Sequence, residues 1–117
     1  MATIATFIGI DRHAAPDVRD LSGARRDATA LWCLFTDSIP DVNATILCDE
    51  DASVAAVRKA ITTTLKNAAA DDTVVFSFSG HGTPDHRVVL HDTRREALHE
   101  TTISMIEIAE FCHFSSG

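Results

Sequence analysis

The chain has 117 residues, 45% of them apolar, and a formal net charge of −7, which fits one globular domain with its own core. The negative charge disfavours a nucleic-acid-binding surface, and no apolar run is long enough to predict a membrane span. Three cysteines, Cys33, Cys48 and Cys112, stand far apart, which argues against a disulfide framework and a thiolate zinc site. We therefore expect a reduced, cytoplasmic protein that binds no nucleic acid, membrane, metal or other cofactor.

The first third of the chain predicts a strand, a loop and a helix. Residues 3–10, TIATFIGI, are β-branched and apolar, as is typical of a strand. Residues 11–20 are charged and contain a proline, and so predict a loop. Ser22 or Asp20 would cap a helix over residues 23–37. That helix is indicated by apolar residues at three- and four-residue steps: Ala24, Ala28, Leu31, Trp32 and Phe35.

A second strand, a second helix and a third strand follow. Residues 42–48, VNATILC, alternate as a half-buried strand does. The acidic run at residues 49–51 is interpreted as a solvated loop, and Ser53 predicts the start of a helix that reaches about Ala70. Residues 73–79 predict the third strand, whose run TVVFSF is typical of a central strand covered on both faces.

The remaining residues predict a short strand and a last helix. Residues 86–91 indicate half of a small hairpin, and residues 103–113 a helix that buries Ile103, Ile106 and Phe111. Helical crossovers between successive strands imply a mainly parallel sheet with helices on both faces. The predicted fold class is therefore α/β, a three-layer sandwich, and sites in such sheets form beyond the carboxyl ends of the strands.

One histidine stands at that edge, in the sequence Ser79-Gly80-His81-Gly82. A histidine held by a rigid strand end is suited to general acid–base catalysis near neutral pH. Gly80 would let the chain turn off the strand, and Gly82 would let a substrate approach its free N–H. Taken alone, the four residues also fit a turn with an incidental histidine, and it is the preceding strands and helices that favour a functional role.

Four segments resemble the caspase-like cysteine peptidases, in particular their bacterial metacaspase-like branch. The segments are FIGID, LSGARRDATAL, DDTVVFSFSGHG and VVLHDT, which occur in the family's order over about residues 4–93. The resemblance implies that residues 1–117 form a caspase-like peptidase domain that cleaves peptide bonds with a His–Cys dyad. It also implies that His81 is the catalytic histidine and that the Gly82 N–H lies near the oxyanion.

No cysteine fits the nucleophile of such a dyad. In caspases the cysteine follows the histidine by about 50 residues, and in this family it stands in a D-x-C or D-C-C type motif after another strand. Cys112 lies closer to His81 than that and ends an apparent helix, while Cys33 and Cys48 belong to the first helix and second strand. We therefore expect a shortened chain, incomplete at the C-terminal end of its sheet and inactive alone. The remainder of the domain, a second polypeptide or a second copy would complete the sheet.

Substrate preference can be approached through the resemblance. Leu21 occupies the position where Asp-specific caspases have an arginine, so cleavage after Asp is not supported. In the metacaspase-like branch, Asp27 and Ser79 occupy positions that border the first substrate pocket, where a carboxylate would pair with Arg or Lys of a peptide substrate. Asp27 also suits the first turn of any helix, and Arg25 and Arg26 could neutralise it.

Other functions remain open. A non-catalytic caspase-like interaction or regulatory module would keep the sheet and bind a partner at its edge. A nucleotide-binding domain or another α/β hydrolase is disfavoured, because no phosphate-binding Gly-rich loop follows the first strand and no G-x-S-x-G occurs. In bacteria, the resemblance implies roles in programmed cell death or phage defence.

Overall fold

The computed structural model describes residues 1–108. Three parallel strands form the main sheet: β1 (Thr3–Gly9), β2 (Asn43–Cys48) and β3 (Thr73–Ser79). Their spatial order is β2-β1-β3, so both partners of β1 are reached through crossovers. In register, Gly9 stands beside both Cys48 and Ser79, which brings the carboxyl ends of all three strands to one edge.

A helix covers each face of this sheet. The crossover helices are α1 (Ala24–Ser38) and α2 (Val54–Asn67). Because side chains alternate along a strand, Phe7 of β1 packs on the α1 side and Ile8 on the α2 side. The α1 core cluster also contains Ala28, and the α2 cluster contains Ile61. This arrangement confirms the predicted α/β sandwich of three layers.

The two helices begin differently. Ser53 caps α2 as predicted, because its hydroxyl accepts the Ala56 N–H at 3.1 Å. The predicted caps of α1, Ser22 and Asp20, are wrong: Gly23 occupies the N-cap position and provides no side-chain bond. The Asp11 carboxylate, carried there by the loop after β1, instead accepts the N–H groups of Ala24 at 2.8 Å and Arg25 at 3.2 Å.

The prediction that β3 is a central strand is wrong for the described part of the chain. β1 is central, and its residues Ala5 to Gly9 are buried. Within residues 1–108, β3 pairs with β1 alone, and six of its seven residues are half-buried. The apolar run of β3 reflects packing against its two faces. Such a run does not show how many strands pair with the edges of β3.

A two-stranded antiparallel hairpin adjoins the sheet, formed by β4 (Arg87–Val89) and β5 (Thr102–Ser104). The predicted hairpin is thus confirmed, but Ile103 is buried in β5 rather than in a helix. The last helix begins at Met105, and Ile106 is 70% exposed, against the prediction that it is buried. Phe111 lies outside the described residues. No helix among residues 1–108 has the length and apolar character needed to cross a membrane.

Candidate active site

His81 lies two residues beyond β3, at the carboxyl edge of the sheet. The Ser79 carbonyl accepts the Ile10 N–H at 3.0 Å, which ties the end of β3 to the end of β1. The His81 carbonyl accepts the Val89 N–H at 3.0 Å, which ties the next residues to the hairpin. The backbone of His81 is therefore fixed by the sheet on one side and by the hairpin on the other.

The half-buried His81 ring makes one hydrogen bond that determines its tautomer. Its Nε2 lies 2.7 Å from the carbonyl oxygen of Arg19, in the loop that follows β1. A carbonyl oxygen can only accept, so Nε2 carries the proton and donates it. Nδ1 is then the nitrogen with a free lone pair, as a general base requires.

The Gly82 N–H is directed away from the hairpin. Gly82 lies opposite Val88 in an antiparallel bridge whose flanking hydrogen bonds include Thr83 N–H to the Arg87 carbonyl, at 2.9 Å. Residues in such a non-hydrogen-bonded pair point their own N–H and C=O groups away from the partner strand. A Cβ placed on Gly82 would meet no atom closer than 3.7 Å, so nothing crowds the Cα of this residue.

A groove of about 380 Å³ contains both His81 and Gly82. Its walls come from the loop after β1, the β4 strand and the turn before β5, and they mix apolar with charged residues: Val18, Val89, Leu98, Asp17, Arg19 and Arg95. An exposed cleft of this size can accept a few residues of an extended peptide beside the imidazole.

Asp27 and Ser79 do not line this groove. The register of β3 with β1 places Ser79 beside Gly9, on the face that α1 covers, and Asp27 is exposed in the first turn of α1. The Arg25 guanidinium lies 3.6 Å from the Asp49 carboxylate, so Arg25 pairs with Asp49 and not with Asp27. The two residues predicted to bind substrate therefore share the α1 side of the sheet edge, whereas the groove opens toward the hairpin.

Asp49 organises the loop after β1, and the sequence interpretation of this residue as part of a solvated loop is wrong. It is only 5% exposed, and its φ of 50° lies in the left-handed region. Its Oδ1 accepts the N–H groups of Asp11 at 2.9 Å and Arg12 at 3.0 Å. Because β1 and β2 end side by side, a carboxylate directly after β2 reaches the backbone directly after β1.

His13 and Asp20 also contribute to the site, and sequence reasoning missed both. The His13 side chain is fully buried, and its ring centroid lies 5.4 Å from that of His81. Burial lowers the pKa of His13, an effect partly offset by Asp20. A hydrogen bond from Arg12 lowers the pKa of Asp20. The available signal was position, since residues just after β1 reach the same sheet edge as His81.

Neither cysteine of the described part is placed to serve His81. Cys33 is exposed on α1, and Cys48 ends β2, two strands from β3, which corresponds to about 10 Å at normal strand spacing. Burial raises the pKa of the Cys48 thiol, which disfavours the reactive thiolate. Cys112 lies outside the described residues. Residues 1–108 contain no group of three side chains able to hold a metal ion.

Comparison with known families agrees with this geometry. The model of the family described as Caspase domain matches residues 2–112. The chain therefore belongs to the caspase-domain family, whose members are cysteine peptidases acting on proteins. A search of curated proteins gave no match.

Proposed function

We propose that this chain provides the histidine half of a cysteine endopeptidase site. The observation that carries the proposal is the Nε2–H hydrogen bond to Arg19, which holds His81 at the groove and leaves Nδ1 as the base. In this mechanism Nδ1 removes the proton of a cysteine thiol, and the thiolate sulfur bonds to the peptide carbonyl carbon. The imidazolium then gives its proton to the amine as the C–N bond breaks, and water hydrolyses the thioester.

The Gly82 N–H is proposed to stabilise the oxyanion. It points away from the hairpin, and Gly82 lines the same groove as His81, where a substrate carbonyl would lie. One such donor contributes about 10²- to 10³-fold to kcat in serine peptidases that use the same chemistry.

The sulfur is proposed to come from polypeptide other than this chain, since neither Cys33 nor Cys48 is placed to serve His81. Within residues 1–108, β3 has a strand partner on one side only, which supports this, because a further parallel strand paired on its other side would end about 4.8 Å from the end of β3. A cysteine just beyond that strand would stand beside His81. The chain by itself is then expected to be inactive, since its base has no thiol to activate.

Cleavage after Arg or Lys is proposed on the position of Asp27 and Ser79. Both lie on the α1 side of the sheet edge, and Asp27 is exposed. Since Arg25 pairs with Asp49, it does not neutralise the charge of Asp27. A substrate guanidinium or ammonium could therefore pair with Asp27, and a charge-assisted bond of this kind contributes more than a neutral one.

The first experiment incubates the polypeptide with fluorogenic peptides that end in Arg or Lys. We expect no turnover from the chain alone, and turnover that requires His81 once the polypeptide carrying the sulfur is present. Turnover by the chain alone that Cys112→Ala abolishes would contradict the external source of the sulfur. Full activity of the His81→Ala variant of the complete peptidase would contradict the role of the imidazole.

The second experiment tests specificity in the complete peptidase. Asp27→Asn is expected to lower kcat/KM for Arg and Lys peptides by about 10- to 100-fold, the usual range for losing a charged hydrogen bond. Asp37→Asn is the matched control, because Asp37 is an exposed acid in the last turn of the same helix. Equal activity of the two variants would exclude Asp27 from the pocket.

The β3 edge that has no strand partner among the described residues also supports a second candidate, a non-catalytic module that binds a partner strand. The two candidates differ in the gene beyond Gly117, where the peptidase requires an apolar strand followed by Asp-x-Cys or Asp-Cys-Cys. The intact mass of the cellular protein would show whether the chain made in the cell extends beyond Gly117. A role in bacterial cell death or phage defence stays a prediction from the sequence resemblance.

A further inference from the structure

A second imidazole lies against His81 and takes no part in the chemistry proposed above. The His13 side chain has no exposed surface, and its ring is tilted by 40° to the His81 ring at a centroid distance of 5.4 Å. Neither of its ring nitrogens makes a hydrogen bond of good geometry within the described part of the chain, the nearest acceptor being Asp20 Oδ1 at 3.5 Å from Nδ1. A buried polar ring without such a bond is destabilising, and the ring contact that His13 does make is with His81.

The loop around His13 is held at several points. The His13 N–H donates to Asp20 Oδ1 at 3.2 Å, and the neighbouring Arg12 side chain donates to Asp20 Oδ2, also at 3.2 Å. On the other side, the Ala14 N–H donates to the His91 carbonyl at 2.9 Å. These bonds leave the His13 ring little freedom to move away from His81.

Three ionisable groups face the His13 ring. Asp20 Oδ1 lies 3.5 Å from Nδ1, and His81 and His91 are both close enough to disfavour a positive charge there. Burial is the largest influence and lowers the pKa of His13, so the ring that packs against His81 near neutral pH is the uncharged one. An uncharged ring can support the imidazole beside it without repelling the imidazolium that forms during catalysis.

We propose that His13 is a positioning residue for His81. Its ring fills the space behind the His81 imidazole and keeps that imidazole in the rotamer whose Nε2–H reaches the Arg19 carbonyl. Without this flat surface, the His81 ring turns within its site, loses the bond and exchanges its proton between Nε2 and Nδ1. The inference rests on the proposed function for its importance, but the orientation of the ring can be measured without any peptidase activity.

The test uses the 117-residue chain and imidazole ¹⁵N spectra at neutral pH. In the unmodified protein we expect His81 to show one fixed tautomer, protonated at Nε2. In His13→Ala we expect signals averaged between the two tautomers and exchange of Nε2–H with water at least about tenfold faster, as for a hydrogen bond that opens locally. His13→Phe restores a flat ring and is expected to restore the fixed tautomer.

Two further variants make the result decisive. His99→Ala removes an exposed imidazole and is expected to leave the His81 signals unchanged. His13→Gln fills much of the same volume without a ring, so it is expected to behave as His13→Ala does even where the alanine variant fails to fold. A fixed Nε2–H tautomer in a folded His13→Gln or His13→Ala protein would overturn the proposal. So would a folded His13→Phe protein with averaged signals.

Kinetics of the complete peptidase separate this inference from the proposed function. A positioning role predicts that His13→Gln lowers kcat with little change in KM and that His13→Phe recovers most of it. If no variant, including the unmodified protein, cleaves peptides, the proposed function fails while the tautomer result stands. If cleavage requires His81 but His13→Gln keeps full kcat, the positioning role fails and the peptidase proposal stands.

Discussion

The two segments that meet at His81 are held mainly by different kinds of bond. The loop at residues 11–23 is fixed by side-chain carboxylates on backbone N–H groups: Asp49 on the start of the loop, Asp20 on His13, and Asp11 on the start of α1. The segment at residues 80–89 is fixed by backbone hydrogen bonds between Val89 and His81 and between Thr83 and Arg87.

This difference has a physical consequence. Almost any residue supplies a backbone N–H and C=O, so these two bonds after β3 persist through most substitutions and across a wide range of pH, although the Arg87 N–H also donates to the Thr83 hydroxyl. The loop after β1 also has backbone bonds, such as Ala14 N–H to the His91 carbonyl, but its two ends and His13 are held by three carboxylates and so depend on their charge. Since this loop provides the Arg19 carbonyl and the His13 ring, the orientation of His81 is more sensitive to the loop than to its own strand.

The largest expected effect comes from Asp49→Ala. The substitution leaves the N–H groups of Asp11 and Arg12 without their acceptor and puts alanine at a φ of 50°, which favours Asp or Asn over alanine. We expect the free energy of unfolding to fall by about 3 kcal/mol, measured by urea denaturation. Asp51→Ala, an exposed neighbour, should change it by less than about 0.5 kcal/mol. Similar losses in both variants would show that Asp49 does not anchor the loop.

A smaller effect is expected from adding one methyl group at the end of β1. A Cβ on Gly9 would lie 2.6 Å from the Ala24 carbonyl oxygen and 2.7 Å from the Ala28 Cβ, so α1 would have to move. Gly9→Ala should therefore lower the free energy of unfolding by about 2 kcal/mol, as overpacking does. Gly82→Ala, where the space is open, should cost less than about 1 kcal/mol. The reverse order of the two thermal midpoints would contradict this account of the sheet edge.

Replacing the cap of α1 is expected to have a still smaller effect on the free energy of unfolding. Asp11→Ala removes the acceptor for the Ala24 and Arg25 N–H groups and should lower the free energy of unfolding by about 1 kcal/mol. Ser22→Ala is the control, because Ser22 was the cap predicted from sequence but makes no capping bond. If urea denaturation shows the larger loss in Ser22→Ala, the cap assignment is wrong.

The smallest effect concerns pH. Burial lowers the pKa of His13 in the folded protein, so below about 6.5 the unfolded chain binds more protons at this residue than the folded one. Above that pH, His13 does not lower the free energy of unfolding. As the pH falls from there toward the lowered folded pKa of His13, the free energy of unfolding decreases. Urea midpoints between pH 7 and 5 should therefore fall less in His13→Phe than in the unmodified protein. Parallel curves for the two proteins would show that His13 does not titrate differently on unfolding.

Asp20 acts in a separate pH range. The hydrogen bond from Arg12 lowers the folded pKa of Asp20, so its contribution is present above its ordinary value near 3.8 and is lost as the pH falls further. Because Asp20 is exposed, salt and water screen this contribution, and it should not obscure the His13 effect at higher pH.

Local patterns in the sequence were sufficient for the elements from β1 to β4 and their order, but not for β5, where a helix was predicted. The spacing of Val54, Val57 and Ile61 predicts α2 and the face it buries, and Ser53 predicts its start. The same reasoning failed at the start of α1, because the capping carboxylate belongs to Asp11, more than ten residues earlier. It also failed for β3, since an apolar strand has the same sequence whether one or two strands flank it.

What the amino-acid sequence determined by itself was the alternation of strands and helices, the parallel sheet that follows from it, and the delivery of His81 to the carboxyl edge. These depend on local propensity and on side-chain periodicity, which each segment carries alone. Only the tertiary structure decided that Arg19 would hold the Nε2–H, that His13 would lie behind the ring and that Asp49 would anchor the loop. Such contacts join residues from the ends of different strands, and their partners become neighbours only when the sheet has formed.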